Sequence, residues 1–117
     1  MARIITAAAA QMGPIARAES RTSCVNRMIE MMREAKSRGV RYMVFPELAL
    51  TTFFPRWWIE DQDEIDTYFE REMPGPATWP LFEESERLGV GFYLGYAELV
   101  EEEGQTRRYN TAILVDR

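Results

Sequence analysis

Within the first 45 residues the spacing of apolar side chains changes twice, and that change constrains the fold more than any other feature. Residues 3–10 are apolar apart from Arg3 and Thr6, as in a strand covered on both faces. From about Thr22 to Arg38 the period becomes 3.6. There Cys24, Val25, Met28, Ile29, Met31, Met32 and Ala35 share one arc, opposite Asn26, Glu30, Arg33 and Glu34. Gly39 stands where a glycine ends a helix, and Val40–Phe45 reads as a second buried strand. Strand, helix and strand in this order make a parallel crossover unit.

The rest of the chain extends the series. An irregular aromatic loop runs to about Gln62, and "DEIDTYFERE" reads as a short amphipathic helix ended by "MPGP". Thr78 is placed to cap a further helix, with Pro80 in its first turn, Leu81, Phe82 and Leu88 facing inward, and Gly89 closing it. "VGFYLGYAELV" and "RRYNTAILVD" are strands of a hairpin about the charged turn "EEEGQT". The fold class is α/β. With 117 residues there is at most one domain. The sequence stops at Arg117 directly after an apolar strand, which suggests a longer, truncated domain.

Composition excludes several chemistries. There is no histidine, so a Ser-His-Asp triad, a Cys-His pair and an H-E-x-x-H zinc site are all impossible within this sequence. One cysteine allows neither an intrachain disulfide nor a cysteine-rich metal site. A net charge of −5 argues against a nucleic-acid groove, and Arg107-Arg108 is too brief to make one. The opening "MARIITAAAAQMG" lacks the cleavage region of a signal peptide, and no segment approaches the roughly 20 apolar residues of a membrane span. A reducing, cytoplasmic setting is expected.

The segment "RYMVFPELALTTFFPRWW" raises the functional question. Glu47 follows a strand by two residues, at the end where α/β sheets bind ligands, and Pro46 stiffens its approach. Walled by Phe53, Phe54 and Trp57, its carboxylate would lose hydration, have its pKa pushed upward and suit general-base duty. A turn cap, or a surface pair with Arg41 or Arg56, is the plainer reading. Phe53, Phe54, Trp57 and Trp58 either line a pocket or pack in a core or interface. Arg56 is a candidate for gripping a substrate carboxylate, or else pairs with Glu60 or Asp61. Asn110 either fixes a loop near the site or is an ordinary strand amide. Glu98 reads as structural, Glu101, Glu102 and Glu103 as a solvated turn, and Cys24 as a packed small hydrophobe.

"VFPELAL" resembles the glutamate segment of the carbon–nitrogen hydrolase (nitrilase) superfamily. "QMGPIARAESR", "RGVRYMVFPELALTTFFPRW", "YFEREMPGP", "LGVGFYLGYAEL" and "RRYNTAILVD" resemble the N-terminal part of N-carbamoyl-D-amino acid amidohydrolases. The resemblance implies the N-terminal part of a four-layer α-β-β-α sandwich and a Glu-Lys-Cys triad with Glu47 as general base. It implies a homo-oligomer acting on a small N-carbamoyl amino acid, with no metal, organic cofactor, nucleic acid or membrane. The triad's lysine and cysteine should follow "YNTAILVD". Lys36 and Cys24 precede it and match neither, so this polypeptide alone is expected not to turn over. Other expectations are a ureidopropionase-like or aliphatic amidase branch, a truncated fragment that only self-associates, and a regulatory binding module.

Overall fold

Ser20 starts the first helix by accepting a hydrogen bond from the Ser23 amide at 3.1 Å, which satisfies a donor that the helix itself leaves free. The computed structural model describes residues 2–117. Helix α1 spans Arg21–Ser37 and buries Cys24, Val25, Met28, Ile29, Met32 and Ala35. Of the expected arc only Met31 is partly exposed. Gly39 follows with φ 78°, the left-handed turn that glycine adopts without strain.

The sheet has four strands, β1 (Ala7–Ala9), β2 (Tyr42–Val44), β3 (Gly91–Glu102) and β4 (Gln105–Val115), which lie side by side in chain order. β1, β2 and β3 are parallel, and β4 returns antiparallel to β3. A 3-10 turn (Phe54–Arg56), α2 (Gln62–Asp66) and α3 (Trp79–Leu88) lie between β2 and β3. The expected α/β architecture is therefore present, as one sheet and one helical layer. Among the described residues no helix is long and apolar enough to cross a membrane.

Three details differ from expectation. Residues 3–10 and 40–45 are not strands covered on both faces. Both long helices pack on the same face, where Met43, Phe45, Phe92 and Leu94 join Met28, Met32 and Leu81 in one core. The opposite face stays open in the described residues. The register sets Val44, Tyr93 and Leu114 there in one cross-strand row, 47 %, 39 % and 71 % exposed.

The second helix stops at Asp66 rather than continuing through residue 72. Arg21 takes the Thr67 and Phe69 carbonyls at 2.6 and 3.3 Å, and Glu70 pairs with β3 through its amide and carbonyl. The backbone groups a longer helix would use are thus claimed elsewhere.

The hairpin strands run through most of the supposed turn and leave only Glu103-Gly104, with φ 50° and 77°. Such a two-residue turn with both φ positive matches the twist of its strands. The third helix agrees with expectation in Thr78, Pro80 and Gly89, although the Thr78 hydroxyl bonds Gly75 instead of capping.

Candidate active site

β3 is twelve residues long and β2 only three, so most of one β3 edge lies beyond the end of β2. The chain after β2 uses that edge. Phe45 donates its amide to the Tyr93 carbonyl at 3.0 Å, and Leu48 donates to Gly95 at 3.2 Å. Glu47 lies between them, at the carboxyl end of a parallel strand and beside Gly95. Leu48 then turns with φ 55°, unusual for a residue with a branched side chain, and sends Leu48, Ala49 and Leu50 into buried positions.

The Glu47 carboxylate accepts a hydrogen bond at Oε1 from Asn110 Nδ2 at 2.8 Å, across 63 residues of sequence. Oε2 has no partner among the described residues. Neither Arg41 nor Arg56 pairs with the acid. Two hollows meet at Glu47 and Asn110. One, of about 250 Å³, is lined also by Phe53, Phe54, Phe69 and Arg108. The other, of about 310 Å³, lies over Tyr93, Gly95 and Ala112 on the open sheet face.

The expected aromatic wall is only partly present. Phe54 stacks on Tyr68 at 5.2 Å and meets Phe69 at 5.4 Å, while Phe53 stands half exposed at the rim. Trp57 does not line the hollow. Its indole donates to Thr52 Oγ1 at 3.3 Å, and the guanidinium groups of Arg17 and Arg56 stand over its ring at 5.6 and 5.0 Å from the centroid. Trp58 is exposed. Glu47 is itself exposed, so the described residues do not provide the dehydration expected for it.

Arg56 is held over Trp57 and does not line the hollow either, nor does it bond Glu60 or Asp61. The cation that does line it is Arg108, which in the sequence stands out only as part of a short basic pair. Its Nε and Nη2 donate to the two oxygens of Asp66, each at 2.7 Å. These hydrogen bonds hold the Asp66 carboxyl at about 2 and raise the Arg108 guanidinium above its ordinary value. The alternation of a strand was the available signal: residues 108 and 110 share one face. Arg17 to Glu64 and Arg21 to Glu70 complete three arginine pairs that fasten segment 62–70, the source of Phe69.

Glu98 accepts from Thr111 at 2.9 Å and from Tyr96 at 3.5 Å, a structural role as expected. Cys24 is wholly buried, and burial, followed by the charge of Glu19, pushes its thiol up to about 11. Lys36 is exposed in the last turn of α1. Neither residue lines either hollow.

A helix-backed, largely parallel sheet with an acid at a strand end defines an α/β protein. Residues 6–117 match the carbon-nitrogen hydrolase family, and the chain belongs to it. Among solved structures it is similar to an N-terminal amidase crystallised with a Gln-Val peptide, at 21% identity and a TM-score of 0.63 over 92% of this chain. It is similar too to a glutamine-dependent NAD(+) synthetase from Cytophaga hutchinsonii, at 22% identity and a TM-score of 0.56 over 96% of this chain. These likenesses concern the fold. The chain spans 24% of that amidase and 17% of that synthetase.

Proposed function

We propose that this chain is the N-terminal part of an N-carbamoyl-D-amino acid amidohydrolase and supplies the general base, Glu47, of a Glu-Lys-Cys triad. The lysine and cysteine would come from sequence beyond Arg117. One observation carries the reading: Glu47 is presented past a strand end with Oε1 tied to Asn110 and Oε2 without a partner among the described residues, between two hollows.

In this scheme Oε2 takes the thiol proton, and the thiolate adds to the carbamoyl carbon. The lysine ammonium stabilises the resulting oxyanion. The tetrahedral intermediate expels the terminal nitrogen as ammonia, which carries away the proton returned by Glu47. Water, deprotonated by the same carboxylate, then cleaves the thiocarbamate. The thiol is regenerated, and the released N-carboxy amino acid loses carbon dioxide.

The test uses a polypeptide that extends past Arg117 and hydrolyses N-carbamoyl-D-amino acids. There Glu47→Gln should lower kcat by at least about a thousandfold, within the range for a lost acid–base group, with an unchanged circular dichroism spectrum. Retained turnover overturns the assignment. Equal rates on D- and L-substrates, or faster cleavage of simple amides, would assign the chain to another amidase branch.

The exposed row Val44–Tyr93–Leu114 favours a second reading, a 117-residue chain that only associates with copies of itself. A monomer in sedimentation velocity would contradict that reading.

A further inference from the structure

From Phe53 to Ala77 the chain carries no buried residue, although it runs between Thr52 and Thr78, which are both buried. Its first part walls the hollow beside Glu47 through Phe53, Phe54 and Phe69. We propose that residues 53–69 are a hinged strap, held closed over this hollow by charged clasps, which swings clear to admit a ligand. The inference rests on the reading of that hollow as a ligand site, and not on which amide is cleaved.

Three observations support it. The first is how the ends are fixed. At one end Thr52 is buried and its hydroxyl accepts from the Trp57 indole. At the other, Glu70 is stitched into the sheet. Its amide donates to the Ala97 carbonyl at 2.7 Å, and its carbonyl accepts from the Leu99 amide at 2.9 Å. Among the described residues, every backbone-to-backbone hydrogen bond of residues 53–69 stays inside that segment. Nothing in the backbone ties it to a strand between its two ends.

The second is internal cohesion. Phe54 packs on Tyr68 and Phe69, so these rings join the two ends of the strap to each other. Opening therefore carries the aromatic wall away as one body.

The third is the nature of the clasps. Glu64 and Asp66 of α2 are held by Arg17, from the loop before α1, and by Arg108 of β4. Arg21 of α1 adds hydrogen bonds to the Thr67 and Phe69 carbonyls. The Arg17 and Glu64 side chains are 45 % and 44 % exposed, and Arg108 is 34 % exposed. Pairs so open to water contribute little each, and salt weakens them by shortening the screening length from about 10 Å at 0.1 M to about 3 Å at 1 M. A segment held by such ties, with no side chain sunk in the core, opens more readily than the core unfolds.

A fixed wall would open only with the whole chain, and the two cases separate experimentally. Ala97→Cys places a thiol beneath the strap, because Ala97 lines the hollow and is 6 % exposed. Cys24, wholly buried on α1, reports global unfolding in the same molecule. The 117-residue chain is treated with iodoacetamide, a neutral reagent, and both thiols are followed by mass spectrometry. Amide hydrogen exchange follows residues 53–69 in the unaltered chain. The thiol introduced by Ala97→Cys should react well before Cys24. Its labelling, and exchange in the strap, should be about fivefold faster in about 1 M than in about 20 mM NaCl, the effect of losing roughly one such pair. The α1 amides should change much less. Asp66→Asn should reproduce the acceleration in dilute salt. Arg17→Gln, which touches no strand, should do the same and guards against a disturbed hairpin in Asp66→Asn.

Labelling of the introduced thiol only together with Cys24, strap exchange at the pace of α1, or rates indifferent to salt and to both variants overturns the inference. A salt-sensitive strap in a chain whose extended form leaves N-carbamoyl-D-amino acids intact would uphold it and count against the carbamoylase reading alone.

Discussion

Replacing Glu84 by glutamine tests how the two long helices are joined. Glu84 lies on α3 and is 9 % exposed. Its carboxylate accepts from Arg87 Nε at 3.1 Å, from a second Arg87 nitrogen, and from Arg33 of α1 at 2.9 Å. Those guanidinium hydrogen bonds, Arg87's first, lower the carboxyl from 4.5 to about 2. At about 1.4 kcal/mol per pH unit, the full shift sets a ceiling of roughly 3 kcal/mol. The arginine side chains are 63 % and 57 % exposed, so water screens the pairs, and about 1–2 kcal/mol is the expected contribution. Because the folded carboxyl titrates below its unfolded value, the contribution is complete above pH 4.5 and fades as pH falls towards 2. Glu84→Gln should therefore cost about 1–2 kcal/mol at pH 7 and less than half of that at pH 3, read from paired urea titrations. An equal cost at both pH values would refute the electrostatic account, and no cost at pH 7 would show that the α1–α3 tie contributes nothing.

Gly91→Ala should lower the thermal midpoint by about 10 °C, because a Cβ there would lie 2.6 Å from Tyr42 Cδ1 and 2.8 Å from the Val115 carbonyl. Gly95→Ala meets only ordinary contacts near 3.8 Å, and calorimetry should find it much milder. The Cys24 thiol, buried and pushed up to about 11, should resist Ellman's reagent at pH 8 until urea unfolds the chain; prompt native labelling would contradict its placement. In an active extended polypeptide, Asn110→Ala should reduce kcat by about tenfold with little change in KM, since it removes an orienting hydrogen bond from Glu47.

Local signals made the first crossover unit legible in the sequence. The 3.6 period of α1 and Gly39 act over a few residues, and the structure follows them. Which sheet face would be covered was not legible, because an apolar run fits a strand buried on one side or on both. The outcome depended on α1 and α3 packing on the same side. The end of α2 was hidden for a similar reason, since Arg21 reaches Thr67 and Phe69 across more than forty positions. Glu47 stood out by its motif, and Asn110 by its place in the last strand. The hydrogen bond between them was not readable, because it requires β3 to bring both to one end of the sheet. Trp57 drew notice as an aromatic beside an acid, yet two arginines turned it to another use.

The placement of Glu47 depends more on the backbone than on its own side chain. The surplus edge of β3 offers its carbonyls in sequence to Phe45, Leu48 and Glu70. Leu48 accepts a left-handed backbone costing roughly 1 kcal/mol or more, and this turn is what allows its amide to reach Gly95 while Leu50 enters the core. Asn110 then restrains the carboxylate from β4. β3, through its backbone, and β4, through Asn110, thus hold the acid by groups that remain when Glu47 is changed to glutamine. Any loss of hydrolysis in that variant would report on the carboxylate and not on a collapsed loop.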